Sequence, residues 1–287
     1  MGPLAILGPG TLGLSTAQWA AECGLETWLL GRNLEHAQAG VGEVHRRWNR
    51  SLAKGRLSPE ARDRYLGKLK AAPFSASTLE GASVLLEALP EDPDLKIPAL
   101  TSAVLWGPPD LLLLSGTSAL PVSNLAARSG STGRLVGFHL FVPVTRMAVV
   151  EMAVPAGTAQ IWVDGARGLA LALQKRVVQV RDQPGFAAAR MALAQGLEAM
   201  RLLEAGVATA EDLDALMTLG YGYPIGPLEL SDRVGLDLRL RIAERLTASG
   251  EDRFQPPSLL RTKVDGKAAG LKDGQGFYAW DSNGKRI

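Results

Sequence analysis

Two ionisable residues stand alone among apolar neighbours in the stretch 135–152, LVGFHLFVPVTRMAVVEM. His139 lies in an apolar run that reads as a buried strand. Glu151 lies in a second run, Met147 to Val154, reached after Val142-Pro143-Val144-Thr145-Arg146. A lone histidine and a lone carboxylate in adjacent core strands are costly unless they pair or do chemistry. For an isolated histidine the ordinary outcome is a satisfied core residue. The company upstream argues for chemistry.

That company begins at the third residue. Pro3 to Leu7 is a short apolar run, followed at once by Gly8-Pro9-Gly10-Thr11-Leu12-Gly13, a helical pattern from Ser15 to Cys23, and a second strand from Glu26 to Leu30. Strand, tight turn, helix, strand is the order a dinucleotide-binding unit requires. Gly8 makes the turn, Gly10 lets a pyrophosphate approach the backbone, and Gly13 packs helix on strand. The helix beginning near Thr11 and Leu12 offers free N–H groups and a positive dipole end. A further apolar run ends in Ser115-Gly116-Thr117-Ser118, polar residues at a strand end, where open α/β sheets bind ligands. Taken alone, Ser118 reads as a turn or helix cap. A nucleotide turn, strand-end hydroxyls and an oriented histidine together suggest a dehydrogenase.

The second strand ends Leu29-Leu30-Gly31-Arg32-Asn33, without the acid that binds an NAD ribose 2′-hydroxyl. Arg32 suits a 2′-phosphate, so the cofactor reading is NADP or NAD, leaning to NADP. Glu35 stands close enough to serve NAD.

The elements that must position these residues follow from patterning. With 287 residues, 46% hydrophobic and 21% charged, the chain has room for two ordinary domains of a soluble globular protein. A net charge of +2 is too small a bias to suggest nucleic acid or a membrane surface. Cys23 is the only cysteine, which leaves no internal disulfide and no cysteine metal cluster. No signal-peptide layout opens the chain and no apolar run approaches membrane-spanning length, so the expectation is a cytoplasmic protein. Leu34 to Lys70 reads as a charge-rich helical hairpin, restarted at Ser58-Pro59. Its basic residues, Arg46, Arg47, Arg50, Lys54 and Arg56, read as a solvated face or as a site for a phosphate-bearing substrate tail. Val84 to Leu89 and Asp110 to Leu114 are buried strands, Gly157 to Leu173 a helix, and Val177 to Val180 a last strand. Arg181-Asp182-Gln183-Pro184-Gly185 is a turn and the expected boundary. Ala187 to Ala205, Ala210 to Leu219 behind Thr209, Leu228 to Val234 and Leu236 to Ala248 are helical. The expected architecture is α/β: a Rossmann-type doubly wound sheet with a helical hairpin over residues 1–184, then an all-helical domain over 185–287.

The chain also resembles the 3-hydroxyacyl-CoA dehydrogenase family over nearly its whole length. ILGPGTLG is similar to that family's first glycine turn, and EALPEDPDLK to its fourth-strand motif. SGTS is similar to its Ser-Asn-Thr-Ser turn, GFHLFVPV to its His-Phe-Phe-Asn-Pro strand, and VVEM to its Val-Glu strand. GYPIGPLELSDRVGLD and GLKDGQGFYAW are similar to its C-terminal signatures. The resemblance implies interconversion of 3-hydroxyacyl and 3-oxoacyl thioesters by hydride exchange with a nicotinamide. It implies His139 as general base and acid, Glu151 orienting it, and Ser118 holding the substrate oxygen. It also implies Glu91 and Lys96 near the nicotinamide ribose, Ser51 and Lys54 on coenzyme A, and a homodimer through the helical domain.

Three positions depart from the family: Gly116 and Val142 stand where it has asparagine, and Ala189 replaces the asparagine of its Pro-Gly-Phe-x-x-Asn-Arg run. Loss of one positioned donor can cost on the order of 10²- to 10³-fold in rate. A dehydrogenase of a CoA-free 3-hydroxy acid and a catalytically silent NAD(P)-binding protein therefore stay open as alternatives.

Overall fold

The computed structural model describes residues 2–287, which fall into two compact units, one ending at Phe186 and the other running from Ala187 to Ile287. The first unit is built on β1 (Leu4–Leu7), α1 (Thr11–Glu22), β2 (Thr27–Gly31), α2 (Leu34–Ala53), α3 (Pro59–Leu66), β3 (Leu69–Pro73), α4 (Ala76–Leu79), β4 (Val84–Glu87) and α5 (Pro93–Trp106). It continues through β5 (Leu112–Ser115), α6 (Val122–Ser129), β6 (Val136–Leu140), β7 (Val149–Val154), α7 (Gln160–Ala172) and β8 (Arg176–Arg181).

Its strands form one eight-stranded sheet in the order β3-β2-β1-β4-β5-β6-β7-β8. The pairs from β3 through β6 are parallel, β7 runs antiparallel to β6, and β8 runs parallel to β7. Central strands buried on both faces need continuous apolar runs, and LAIL, VLLE and LLLS are buried throughout. Alternate residues feed separate cores. Leu4, Ile6, Leu86, Leu114 and Phe138 pack on one side, and Ala5, Leu7, Leu85 and Leu113 on the other. The buried alanines of α1, Ala17, Ala20 and Ala21, let that helix lie close on the first core.

The hairpin expected over Leu34–Lys70 is corrected at its end. Helix α3 stops at Leu66, and Leu69-Lys70 open the edge strand β3, paired with β2 from Thr27↔Leu69 to Gly31↔Pro73. LKAAP lacks β-branched and aromatic residues, so only the free edge of β2 makes it a strand.

The second unit consists of α8 (Ala188–Glu204), α9 (Ala210–Ala215), α10 (Pro227–Val234), α11 (Leu236–Ala248) and α12 (Ser258–Asp265). The helix expected to reach Leu219 is α-helical only to Ala215 and then widens into a π-helical turn, Leu216–Gly220. There the Thr218 hydroxyl donates to the carbonyls of Asp214 and Ala215. Two buried carboxylates tie the C-terminal tail to this unit. Asp232 accepts from the Phe277 and Tyr278 N–H groups and the Trp280 indole, while Asp214 accepts from Leu228 N, Glu229 N and the Tyr278 hydroxyl. A Cβ at Gly276 would lie 2.2 Å from Asp232 Oδ1, so the glycine of QGFY makes room for that carboxylate. The C-terminal signatures are architectural. No helix among the described residues is long and apolar enough to cross a membrane.

Candidate active site

One row of the sheet sets the site. Register joins Leu30, Leu7, Glu87, Ser115 and Gly137 at a single level across β2, β1, β4, β5 and β6. Just past that level, at the carboxyl edge, come Arg32, the Gly8–Gly13 turn, Glu91, Ser118 and His139. This is the edge where open α/β sheets bind ligands.

The turn fits a dinucleotide. Gly8 has φ +111°, and a Cβ there would meet the Ala88 carbonyl oxygen at 2.8 Å; a Cβ at Gly13 would strike the Gly8 carbonyl at 1.9 Å. Around Gly10 the same space is open, and α1 starts with no side-chain cap on its N–H groups. Those groups suit a pyrophosphate. Thr11 is exposed and Leu12 half-buried at the helix start. At the end of β2, a Cβ on Gly31 would come within 2.7 Å of the Ala37 nitrogen and 2.9 Å of the Asn33 oxygen, so the backbone leaves no room for a side chain. Arg32 beside it is exposed, with no ion pair or hydrogen bond among the described residues.

His139 and Glu151 face each other across the antiparallel β6–β7 pair, in register. His139 Nδ1 lies 2.9 Å from Glu151 Oε2, with side chains 12% and 4% exposed. A carboxylate at that distance accepts a hydrogen bond from Nδ1–H, which leaves Nε2 as the imidazole's acceptor. Phe141 packs against the ring at a centroid distance of 4.5 Å and Phe186 at 6.5 Å.

Ser118 lies in a turn organised by Glu91. The Glu91 Oε1 atom accepts from Thr117 Oγ1 at 2.7 Å, Ala119 N at 2.8 Å and Ser118 N at 3.0 Å, with the Ser118 hydroxyl at 3.4 Å. Burial alone would raise this carboxyl, but the Lys96 charge and the hydrogen bonds from Thr117, Ala119 and Ser118 outweigh it and hold it below the ordinary range. Lys96 is buried beneath the row. Its amine reaches Glu87 at 2.8 Å, the Leu89 carbonyl at 3.0 Å and Glu91 at 3.6 Å, and Glu87 also accepts from Ser115 Oγ at 2.7 Å. Asp182 then caps α6, accepting from Val122 N and Ser123 N at 2.7 Å each.

Glu87 and Phe141 are not singled out by the sequence reading, and Ser115 and Thr117 enter it only as members of the strand-end run. One signal was available: Glu87 is a lone acid closing an apolar strand, nine residues before a lysine. Ser51 and Lys54 lie outside the row, at the last turn and C-cap of α2; Ser51 is half-buried and Lys54 exposed. Arg46, Arg47 and Arg50 of the same helix all pair with Glu43.

Gly116 has a physical partner. A Cβ there would sit 2.7 Å from Leu12 Cδ2 and 3.0 Å from the Glu87 carbonyl oxygen. Leu12, from the dinucleotide turn, fills the space a side chain would take.

The chain is similar to known dehydrogenases over nearly its whole length. Residues 3–183 match the profile described as 3-hydroxyacyl-CoA dehydrogenase, NAD binding domain, and residues 185–280 match 3-hydroxyacyl-CoA dehydrogenase, C-terminal domain. The chain is 32% identical over 281 residues to a 3-hydroxybutyryl-CoA dehydrogenase of Mycobacterium tuberculosis, covering 96% of this chain and 98% of that one. It is 31% identical over 279 residues to a probable 3-hydroxybutyryl-CoA dehydrogenase of Bacillus subtilis, covering 97% of each. The crystal structure of (S)-3-hydroxybutyryl-CoA dehydrogenase from Ralstonia eutropha superposes with a TM-score of 0.92 at 30% identity, covering 98% of this chain and 100% of that one.

Two predictions follow from the packing and the charges. Gly116→Ala should destabilise the fold by about 2 kcal/mol, and a double-mutant cycle with Leu12→Ala should give a coupling of about 1 kcal/mol. Additive urea-unfolding energies would mean Leu12 is not the obstacle. The lowered Glu91 carboxyl contributes stability that is complete above its unfolded value of about 4.3 and is lost as pH falls through the folded value. Urea midpoints taken from pH 6 downwards should therefore fall more steeply for the wild type than for Glu91→Gln, and parallel curves would count against the assignment.

Proposed function

Because the chain belongs to the 3-hydroxyacyl-CoA dehydrogenase family, we propose that it interconverts 3-hydroxyacyl and 3-oxoacyl thioesters, with a bound nicotinamide dinucleotide supplying or taking up the hydride. The observation that carries this reading is the His139–Glu151 pair, 2.9 Å apart at the carboxyl edge of a sheet that also bears a glycine turn open to a pyrophosphate. In oxidation, His139 Nε2 takes the substrate hydroxyl proton. Glu151 stabilises the imidazolium that results, and in reduction the same nitrogen returns the proton. Ser118 donates to the substrate oxygen from a turn fixed by Glu91, and Lys96 acts through Glu91 rather than on a ligand. Gly8, Gly10, Thr11, Leu12 and Gly13 form the dinucleotide seat. Ser51 and Lys54 are assigned to coenzyme A on the family resemblance, and the free ammonium of Lys54 suits a phosphate.

The cofactor reading is NADP. It is supported by the lack of room for a side chain at Gly31 and by the unpaired Arg32 guanidinium next to it. The reaction is placed in the cytoplasm, where the unpaired Cys23 persists as a thiol. A homodimer through the helical unit is supported by Leu216, Leu219 and Tyr221, large apolar side chains left exposed around the π-helical turn.

Reduction of acetoacetyl-CoA, followed by nicotinamide absorbance with NADPH and NADH side by side, tests the central reading. Turnover that disappears in His139→Ala is expected. Arg32→Ala should lower kcat/KM with NADPH by about tenfold and leave NADH nearly unchanged. Absence of turnover on the thioester, with turnover on free 3-oxo acids, would move the substrate class to CoA-free acids. Light scattering at micromolar concentration should give twice the chain mass, and a monomer would remove the dimer assignment.

A further inference from the structure

The loop between β6 and β7 carries Phe141 against His139, and its middle residue is held from two sides. Val144 is fully buried. Its N–H donates to Ser15 Oγ at 2.8 Å, and its carbonyl accepts from Lys175 Nζ at 2.6 Å. Ser15 lies on α1, four residues after Thr11, and is itself buried. Lys175, also buried, precedes β8; its ammonium stands 4.5 Å from the centre of the Trp19 ring and makes no ion pair among the described residues. Trp19, again on α1, donates its indole N–H to the Leu173 carbonyl at 2.7 Å. The far side of the loop is closed locally, with Arg146 N and Met147 N donating to the Pro143 carbonyl.

A buried ammonium without a carboxylate is an expensive way to satisfy one carbonyl. An aliphatic residue at 175 would still cover Trp19 but would leave the Val144 oxygen without this donor. The groups converge on one residue, and that residue lies three positions beyond the ring packed on the histidine.

We propose that Ser15 and Lys175 are positioning residues for proton transfer: by holding both the N–H and the carbonyl of Val144 they fix Phe141 against His139 and tie that loop to the helix that opens at the dinucleotide turn. The proposal rests on the dehydrogenase reading, and it assigns to two residues outside the reacting atoms an effect on the chemical step. The Ser15 and Lys175 side chains bond Val144 and not the turn backbone, so cofactor affinity is left alone. Both act on the same residue, Val144, so their effects do not add.

The test uses the full chain and needs wild-type turnover first; its absence would overturn the dehydrogenase reading and not this one. Ser15→Ala and Lys175→Met should each lower kcat about ten- to a hundredfold, with KM for thioester and cofactor within about twofold. The solvent deuterium isotope effect on kcat should rise as proton transfer becomes slower than the other steps. The double variant should be about as slow as the slower single, and Ser15→Thr, which keeps the hydroxyl, should recover most of the rate. Rates are normalised to sites titrated with cofactor, so a partly folded preparation does not imitate the effect. If Lys175→Met does not fold, Ser15→Ala and Ser15→Thr carry the test. Unchanged kcat with only a lower Tm, additive losses, or a rise confined to the cofactor KM would each overturn the proposal.

Discussion

Beneath the reactive edge of the sheet, a lysine 1% exposed is bound to a glutamate that is fully buried, and much of the site rests on that pair. A buried ion pair adds little net stability, because both charges must leave water, yet removing one partner strands the other at a cost of about 3–5 kcal/mol. Such a pair therefore enforces geometry more than it stabilises. Lys96 brings the start of α5 under β4, Glu87 gathers Ser115 from β5, and Glu91 is drawn to the same ammonium. Glu91 in turn collects the N–H groups of the turn that follows β5. The position of the Ser118 hydroxyl is the last consequence of a charge carried by α5, the helix between β4 and β5.

Of the three departures from the family pattern, the structure explains one, Gly116, and nothing in it explains Val142, which is exposed after β6. Gly116 and Leu12 share one volume, so the missing side chain at one is balanced by the bulk of the other. Gly31 is likewise closed to a side chain by the backbone that starts α2, which leaves the neighbouring Arg32 as the polar group at the strand end. Ala189 falls within the first turn of α8, and the structure offers no partner that explains it.

Much of the site was legible in the chain because its signals are local. The glycine turn, the apolar strands and the lone His139 and Glu151 are patterns of residue type at short spacing, and the sheet register brings them to one edge. What could not be read depends on contacts between distant residues. The charge density of Leu34–Lys70 hid an edge strand that exists only because β2 has a free side. The burial of Lys96 beside Glu87 and Glu91 is likewise a long-range result, and nothing in a sequence announces that a lysine is dry. The Val144 clamp joins residues separated by 129 and 31 positions, beyond any periodic signal.

The reversal of β7 has a consequence for timing. In a parallel strand a glutamate twelve residues after the histidine would not stand opposite it, whereas here the antiparallel ladder sets the two in register as the sheet forms. The carboxylate that selects the imidazole tautomer is thus set in place during folding and keeps that place through each turnover. Reorganisation that a flexible acid–base pair would undergo in every catalytic cycle is absorbed into the free energy of the sheet.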